Sequence, residues 1–144
     1  MQTFLPYGAD YVMSAFALDR QRLGKQRVEA WQIYRTLVGI TDGWRNHPAV
    51  KMWAGYEESL VLYGIAVCRE WRSRGYKDTL LMQFNMQKPD TAAAVPDWLL
   101  GKSAHDLIRS HRSNLIRKMP EHYGPIWPDV PDDLPYYWPR RVSA

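Results

Sequence analysis

Asp19–Leu37, DRQRLGKQRVEAWQIYRTL, has the periodicity of an amphipathic helix and decides the fold class. Leu23, Ala30, Tyr34 and Leu37 recur at steps of three, four and seven, so they share one helix face. Arg22, Lys25, Gln26 and Glu29 recur at the same steps on another face, and four cations (Arg20, Arg22, Lys25, Arg27) lie between the opening Asp19 and the next carboxylate, Glu29. One side suits a core. The other presents cations ending in a single acid, which suits gripping a polyanion and moving a proton beside it. Lys25 and Glu29 equally fit an ordinary solvated i,i+4 ion pair worth roughly 0.3–0.5 kcal/mol, and the pattern alone does not choose between these.

Outward from this helix, Asp10 can cap a short segment, Tyr11–Leu18, and Asp19 the main helix, unless both form one bent helix. MQTFLPYG, broken by Pro6 and Gly8, reads as an extended arm that tucks Phe4 and Leu5 against the body. Gly39 ends the main helix, and Thr41-Asp42-Gly43 is a turn. Trp44–Pro48 leads into a second long helix, with Asn46 or His47 as cap and Pro48 in its first turn. Along it Trp53, Tyr56, Leu60, Tyr63, Val67 and Trp71 form a core stripe. That helix ends basic, at Arg69, Arg72 and Arg74, before Gly75, as its dipole favours. Residues 76–87 connect, with room for a short helix, and Trp98 and Leu99 pin the following loop. Ser103 can cap a third helix, Ala104–Lys118, with Leu107, Ile108, Leu115 and Ile116 facing inward. Its other face carries Arg109, Arg112, Arg117 and Lys118 with His111, Ser113 and Asn114. From Met119 to Arg141 the chain is rich in Pro, Trp and Tyr, which predicts an ordered strap without regular helix. The expectation is an all-α, single compact domain over residues 1–144: about three main helices, an N-terminal arm and a C-terminal strap.

Composition narrows the function classes. Hydrophobic residues make up 46% of the chain, too many for a disordered protein. A net charge of +4 favours a phosphate-bearing partner. Seven Trp and nine Tyr against three Phe suit half-buried and stacking positions. The single cysteine, Cys68, excludes an internal disulfide, and the four histidines show no metal-ligand spacing. No signal peptide and no membrane span is expected, so the expected location is cytoplasmic, nucleoid-associated when DNA-bound.

The two basic clusters, Arg20/Arg22/Lys25/Arg27 and Arg109/Arg112/Arg117/Lys118, would frame one positive groove if the first and third helices packed side by side. Trp and Tyr at its rim could stack on bases. Glu29 is the best-placed acid, since Asp10 and Asp19 read as caps and Glu57, Glu58 and Glu70 as solvent-facing. His111, within SHRSN, could position a phosphate or a base edge, or be structural.

Three stretches carry a family resemblance: LDRQRLGKQRVEAWQI, GYEESLVLYGIAVCREWRSRGYKDT and SHRSNLIRKMPEHYG. In order and spacing the chain resembles the pyrimidine-dimer DNA glycosylase/AP lyase family, of the endonuclease V type known from phage, and within it a bacterial branch with an MQTFLPY start. The resemblance implies an all-α monomer that bends double-stranded DNA, flips a base opposite the lesion and cuts the N-glycosidic bond without metal or organic cofactor. It implies a nucleophilic α-amine at the mature N-terminus, which forms an imine before β-elimination breaks the strand. Glu29 falls on the family's catalytic acid, and Arg22, Arg27 and the Arg109–Arg117 helix on its phosphate grip. DNA contacts are accordingly expected from Arg20, Arg22, Lys25, Gln26, Arg27, Arg109, His111, Arg112, Asn114, Arg117 and Lys118. Residue 2 departs from the family in being Gln2, whose size normally prevents removal of Met1, so the amine belongs to Met1 or Gln2, with Lys25 as a substitute. A DNA-binding damage sensor without chemistry, or an enzyme on nucleotides or modified bases, are the other classes these features fit.

Overall fold

Asp10 and Asp19 start two separate helices. The Asp10 carboxylate accepts from the Met13 N–H at 3.0 Å and opens α1 (Tyr11–Ala17). Leu18 and Asp19 then turn extended, with ψ of 140° and 162°, and Asp19 caps α2 (Arg20–Leu37) through the Arg22 N–H. The computed structural model describes residues 1–139. Arg140 and Arg141, at the basic end of the expected strap, lie outside the described residues. The further helices are α3 (Pro48–Lys51), α4 (Glu57–Ser73), α5 (Leu80–Met86), α6 (Gly101–Lys118) and α7 (Pro120–Tyr123), with a 3₁₀ turn at Asp97–Leu99. Among the described residues there is no strand, so the fold is all-α, and α2, α4 and α6 are the three long helices.

The predicted second helix is interrupted. His47 Nδ1 accepts from the Ala49 N–H at 3.0 Å to start α3, which lasts one turn. Gly55, at φ +86°, breaks the chain before α4 begins at Glu57. Trp53 and Tyr56 therefore precede α4, although their spacing continues its stripe. The third helix also starts earlier than its sequence suggests. α6 begins at Gly101 without a side-chain cap, so Ser103 lies inside it. Pro density does not remove helix from the tail: Pro120 sits in the first turn of α7, where its missing N–H costs nothing.

The buried side chains form one cluster around α4, which packs on α1, α2 and α5. Gly64 of α4 takes the Phe84 ring of α5 so closely that a Cβ there would lie 2.3 Å from it. Cys68 is a buried thiol, pushed up to about 12 by burial and then by neighbouring Asp78. α2 and α6 do not lie face to face, contrary to the groove expected between them. The arm runs between them instead: the Phe4 N–H donates to Gln26 of α2 at 2.8 Å and the Leu5 N–H to His111 of α6 at 2.9 Å. Phe4 and Leu5 are buried, as anticipated. Among the described residues no helix is long and apolar enough to cross a membrane.

Candidate active site

Where the arm meets α2, a cavity of about 260 Å³ opens, walled by Met1, Gln2, Arg22, Lys25, Glu29, Lys118 and Tyr136. Three cations thus surround one carboxylate. Glu29 Oε2 accepts the backbone N–H of Gln2 at 3.3 Å and an N–H of the Gln26 amide at 3.3 Å. Neither Lys25 nor the Met1 amine forms an ion pair with Glu29, so the i,i+4 pair allowed by the sequence is not made; the pairs among the described residues are Arg22–Asp19, Arg27–Asp78 and Arg74–Glu70. A larger apolar groove of about 530 Å³ lies between α1 and α4. Its carboxylates are committed elsewhere, Asp10 as a cap and Glu70 to Arg74 at 2.7 Å. The smaller cavity alone of the two offers an acid with a free face.

Gln26 is the hub of this cavity. Its Oε1 accepts from the Phe4 N–H at 2.8 Å and from the Tyr63 hydroxyl at 2.6 Å, while its Nε2 donates to Gln2 O at 2.9 Å and to Glu29. All four hydrogen-bonding positions of the amide are used, which fixes its orientation. Burial and then Glu29 drive the Tyr63 phenol well above its ordinary pKa, so it stays protonated, and its single proton is shared between Gln26 Oε1 and Phe4 O, the latter at 2.9 Å. Further along, Trp53 Nε1 donates to Thr3 Oγ1 at 3.0 Å. The arm is thus tied residue by residue, and its start is delivered beside Glu29.

The structure sorts the expected DNA contacts. Arg20, Lys25, Arg109 and Lys118 are exposed, Arg22 is half-buried against Asp19, and Arg117, though exposed, donates to Asp132 O at 2.8 Å and Leu134 O at 3.2 Å and so ties α6 to the strap. Arg22 helps hold the Asp19 carboxyl low: burial raises it, but bonds from the Tyr123 hydroxyl and Arg22 outweigh burial. Five others are structural. Arg27 Nε donates to the buried Asp78 at 2.7 Å, with the guanidinium 4.9 Å above the Trp71 ring. Gln26 is buried in the hub just described. Arg112 donates to Pro6 O at 2.8 Å, with its guanidinium over the Tyr7 and Trp127 rings. Asn114 is buried and bonds Ser110 O and Leu134 O. His111 is fully buried, so it meets no phosphate at the surface. One signal could have found Gln26 and His111. Each stands on its helix's apolar stripe, Gln26 between Leu23 and Ala30, His111 midway between Leu107 and Leu115.

Burial holds the His111 pKa down to about 3, so its ring is neutral and Nδ1 accepts the Leu5 N–H. In the unfolded chain it titrates near its ordinary value, about 6.5. Between those values the unfolded state binds a proton that the native state refuses, so stability is present above about pH 6.5 and lost as pH falls, by up to about 1.4 kcal/mol per pH unit. Urea unfolding at pH 7, 6 and 5 should show this slope. His111→Asn, which keeps an acceptor for Leu5, should flatten it by one proton; an unchanged slope would assign it to other groups.

His47 belongs to the cavity's surroundings, beyond its expected role as a cap. Its pKa is lowered first by burial and then by the Met1 amine, with Glu29 opposing, so it lies in the field of both groups. Tyr136, from the strap, lines the cavity, so the aromatic tail contributes to the site as well as closing the core. Among the described residues no group of three or more His, Cys, Asp or Glu is placed to hold a metal ion.

Fold and cavity together define an all-α protein that sets one acid among cations beside the start of its own chain, an arrangement suited to chemistry on a polyanion. The chain belongs to the pyrimidine dimer DNA glycosylase family, whose sequence profile matches residues 1–84, and the activity associated with that family is DNA repair. The match spans the arm and α1–α4 into α5, including Met1, Gln2, Gln26, Glu29 and His47, and ends before α6. No curated protein and no solved structure matches the chain.

Proposed function

We propose that this protein excises pyrimidine-dimer-type lesions from double-stranded DNA and then cleaves the strand as an AP lyase. The observation that carries the reading is the nitrogen of residue 2, held 3.3 Å from Glu29 Oε2 in a cation-lined cavity. The nucleophile is the α-amine that ends the arm: that of Met1 in the intact chain, or that of Gln2, in place beside Glu29, once Met1 is removed. A neutral α-amine is a nucleophile that attacks a sugar carbon without help from a metal. It attacks the sugar C1′, the C1′–base bond breaks, and the base leaves with a proton. Ring opening, with protonation of the ring oxygen, gives the imine. Loss of a C2′ proton then expels the 3′ phosphate. Glu29 transfers protons at the sugar. Arg20, Arg22, Lys25, Lys118, Arg109 and Arg117 hold backbone phosphates, giving salt-sensitive affinity.

Borohydride trapping on abasic-site duplex, followed by peptide mapping, tests this. The expected product is a covalent adduct on the N-terminal peptide, whose mass also reports whether Met1 is present. An adduct on the Lys25 peptide would move the nucleophile to that lysine. Absence of both adduct and cutting would remove the lyase step.

A further inference from the structure

We infer that Trp44 stacks on the DNA bases beside the reaction centre, filling the space left when the duplex is opened there. The inference rests on the proposed action on duplex DNA and adds a residue that neither the acid nor the amine chemistry requires. Trp44 is 62% exposed, unusual for the side chain with the most apolar surface to hide. It is also the one described non-glycine residue with positive φ, +65°. For a bulky side chain that is a true outlier, which persists only where the surroundings enforce it. Gly43, next in sequence, would adopt that conformation freely and does not. The strain is therefore spent on presenting an indole to solvent.

The surroundings that enforce it are visible. Thr36 Oγ1 donates to Gly43 O at 2.8 Å, and the His47 N–H donates to Trp44 O at 2.8 Å. A chain of ring contacts leads from this loop to the cavity: Trp44 to His47 at 6.1 Å, His47 to Trp138 at 5.8 Å and Trp138 to Tyr136 at 5.8 Å, with Tyr136 in the cavity wall. Arg45, beside Trp44, is exposed, so the loop carries an aromatic plane and a cation together. That pair suits a nucleic acid: the plane stacks on any base and the cation meets the backbone. Of the other strongly exposed apolar side chains, Val12, Phe16, Met82 and Met86 lie on α1 and α5 and Ile40 follows α2, and none has a positive φ.

The test uses a thymine-dimer duplex with 2-aminopurine opposite the lesion, whose fluorescence rises when that base unstacks. Wild-type protein should bind it and raise the signal. Trp44→Gly relieves the strained φ while deleting the ring, so it should melt no lower than wild type yet bind roughly 10-fold or more weakly, with little unstacking signal. Trp44→Phe should retain most of the wild-type signal. A Trp44→Gly protein that binds and unstacks like wild type would overturn the inference, as would a Trp44→Phe protein as weak as Trp44→Gly. Wild-type protein that ignores dimer duplex altogether would defeat the glycosylase reading itself, a different result from a silent Trp44.

Discussion

Glu29→Gln should lower excision of a dimer from duplex DNA by at least about 100-fold, within the usual range for losing a positioned acid–base group. The substitution keeps the side-chain shape. The carbonyl of the new amide can still accept from the Gln2 N–H and the Gln26 amide, both now 3.3 Å from the carboxylate, so no buried donor is orphaned. Stability should therefore stay within about 0.5 kcal/mol of wild type. DNA affinity should hold or rise, because a negative charge leaves a cavity that Arg22, Lys25 and Lys118 otherwise make positive. Single-turnover excision, binding and thermal melting on the same preparation separate these effects. Activity within a few-fold of wild type would remove Glu29 from the chemistry. Lost activity with lost folding would show a structural role instead.

The position of Glu29 in the cavity wall was legible because it stands off the apolar stripe on a helix whose cap and period are both explicit. Asp19, Leu23 and Ala30 make α2 a local decision, and local decisions survive into the structure. Gln26 shows where that legibility stops. On a helical wheel it falls at the border, between the Leu23/Ala30 stripe and the Arg22/Glu29 face, so the pattern permits burial without saying what would cover it. In the fold the arm covers it, joining residues 22 and 24 positions apart, and periodicity within α2 contains no term for a distant stretch of chain. His111 is the same error on α6, where Leu5 arrives from 106 positions away. Trp53 and Tyr56 show a different one. Their spacing matches α4, but Gly55 at φ +86° separates Trp53 from it, and Tyr56 stands at its N-cap. The groove expected between α2 and α6 failed for the same reason as the contacts on it. The arm runs through that interface, and of the expected cations Arg22, Lys25 and Lys118 line the cavity at its end beside Glu29.

That end is held by one amide, and Gln26→Leu should be the most damaging substitution outside the reacting groups. Leucine fills the volume but leaves the Phe4 N–H and the Gln2 carbonyl facing an apolar group, while the Tyr63 hydroxyl keeps Phe4 O as its acceptor. Each orphaned buried group costs about 1–3 kcal/mol, so a loss of roughly 3–5 kcal/mol is expected. The functional effect should exceed the folding effect, because the arm can detach while α2 and α4 stay packed. Amide exchange distinguishes the two: the Phe4 N–H should lose protection while the amides of α4 keep theirs. Imine trapping should slow by 10-fold or more even at temperatures where the variant remains folded, since about 1 Å of misplacement at a reacting atom costs about that much or more. Gln26→Glu refines the result. It preserves an acceptor for Phe4 and Tyr63 but replaces the donor facing Glu29 with a second carboxylate, which disfavours ionising both. The acid limb of its pH–rate profile should therefore move upward, while Phe4 stays protected at neutral pH. If Gln26→Leu leaves trapping at the wild-type rate, the amine does not depend on the hub, and the nucleophile must be sought on α2 itself, at Lys25.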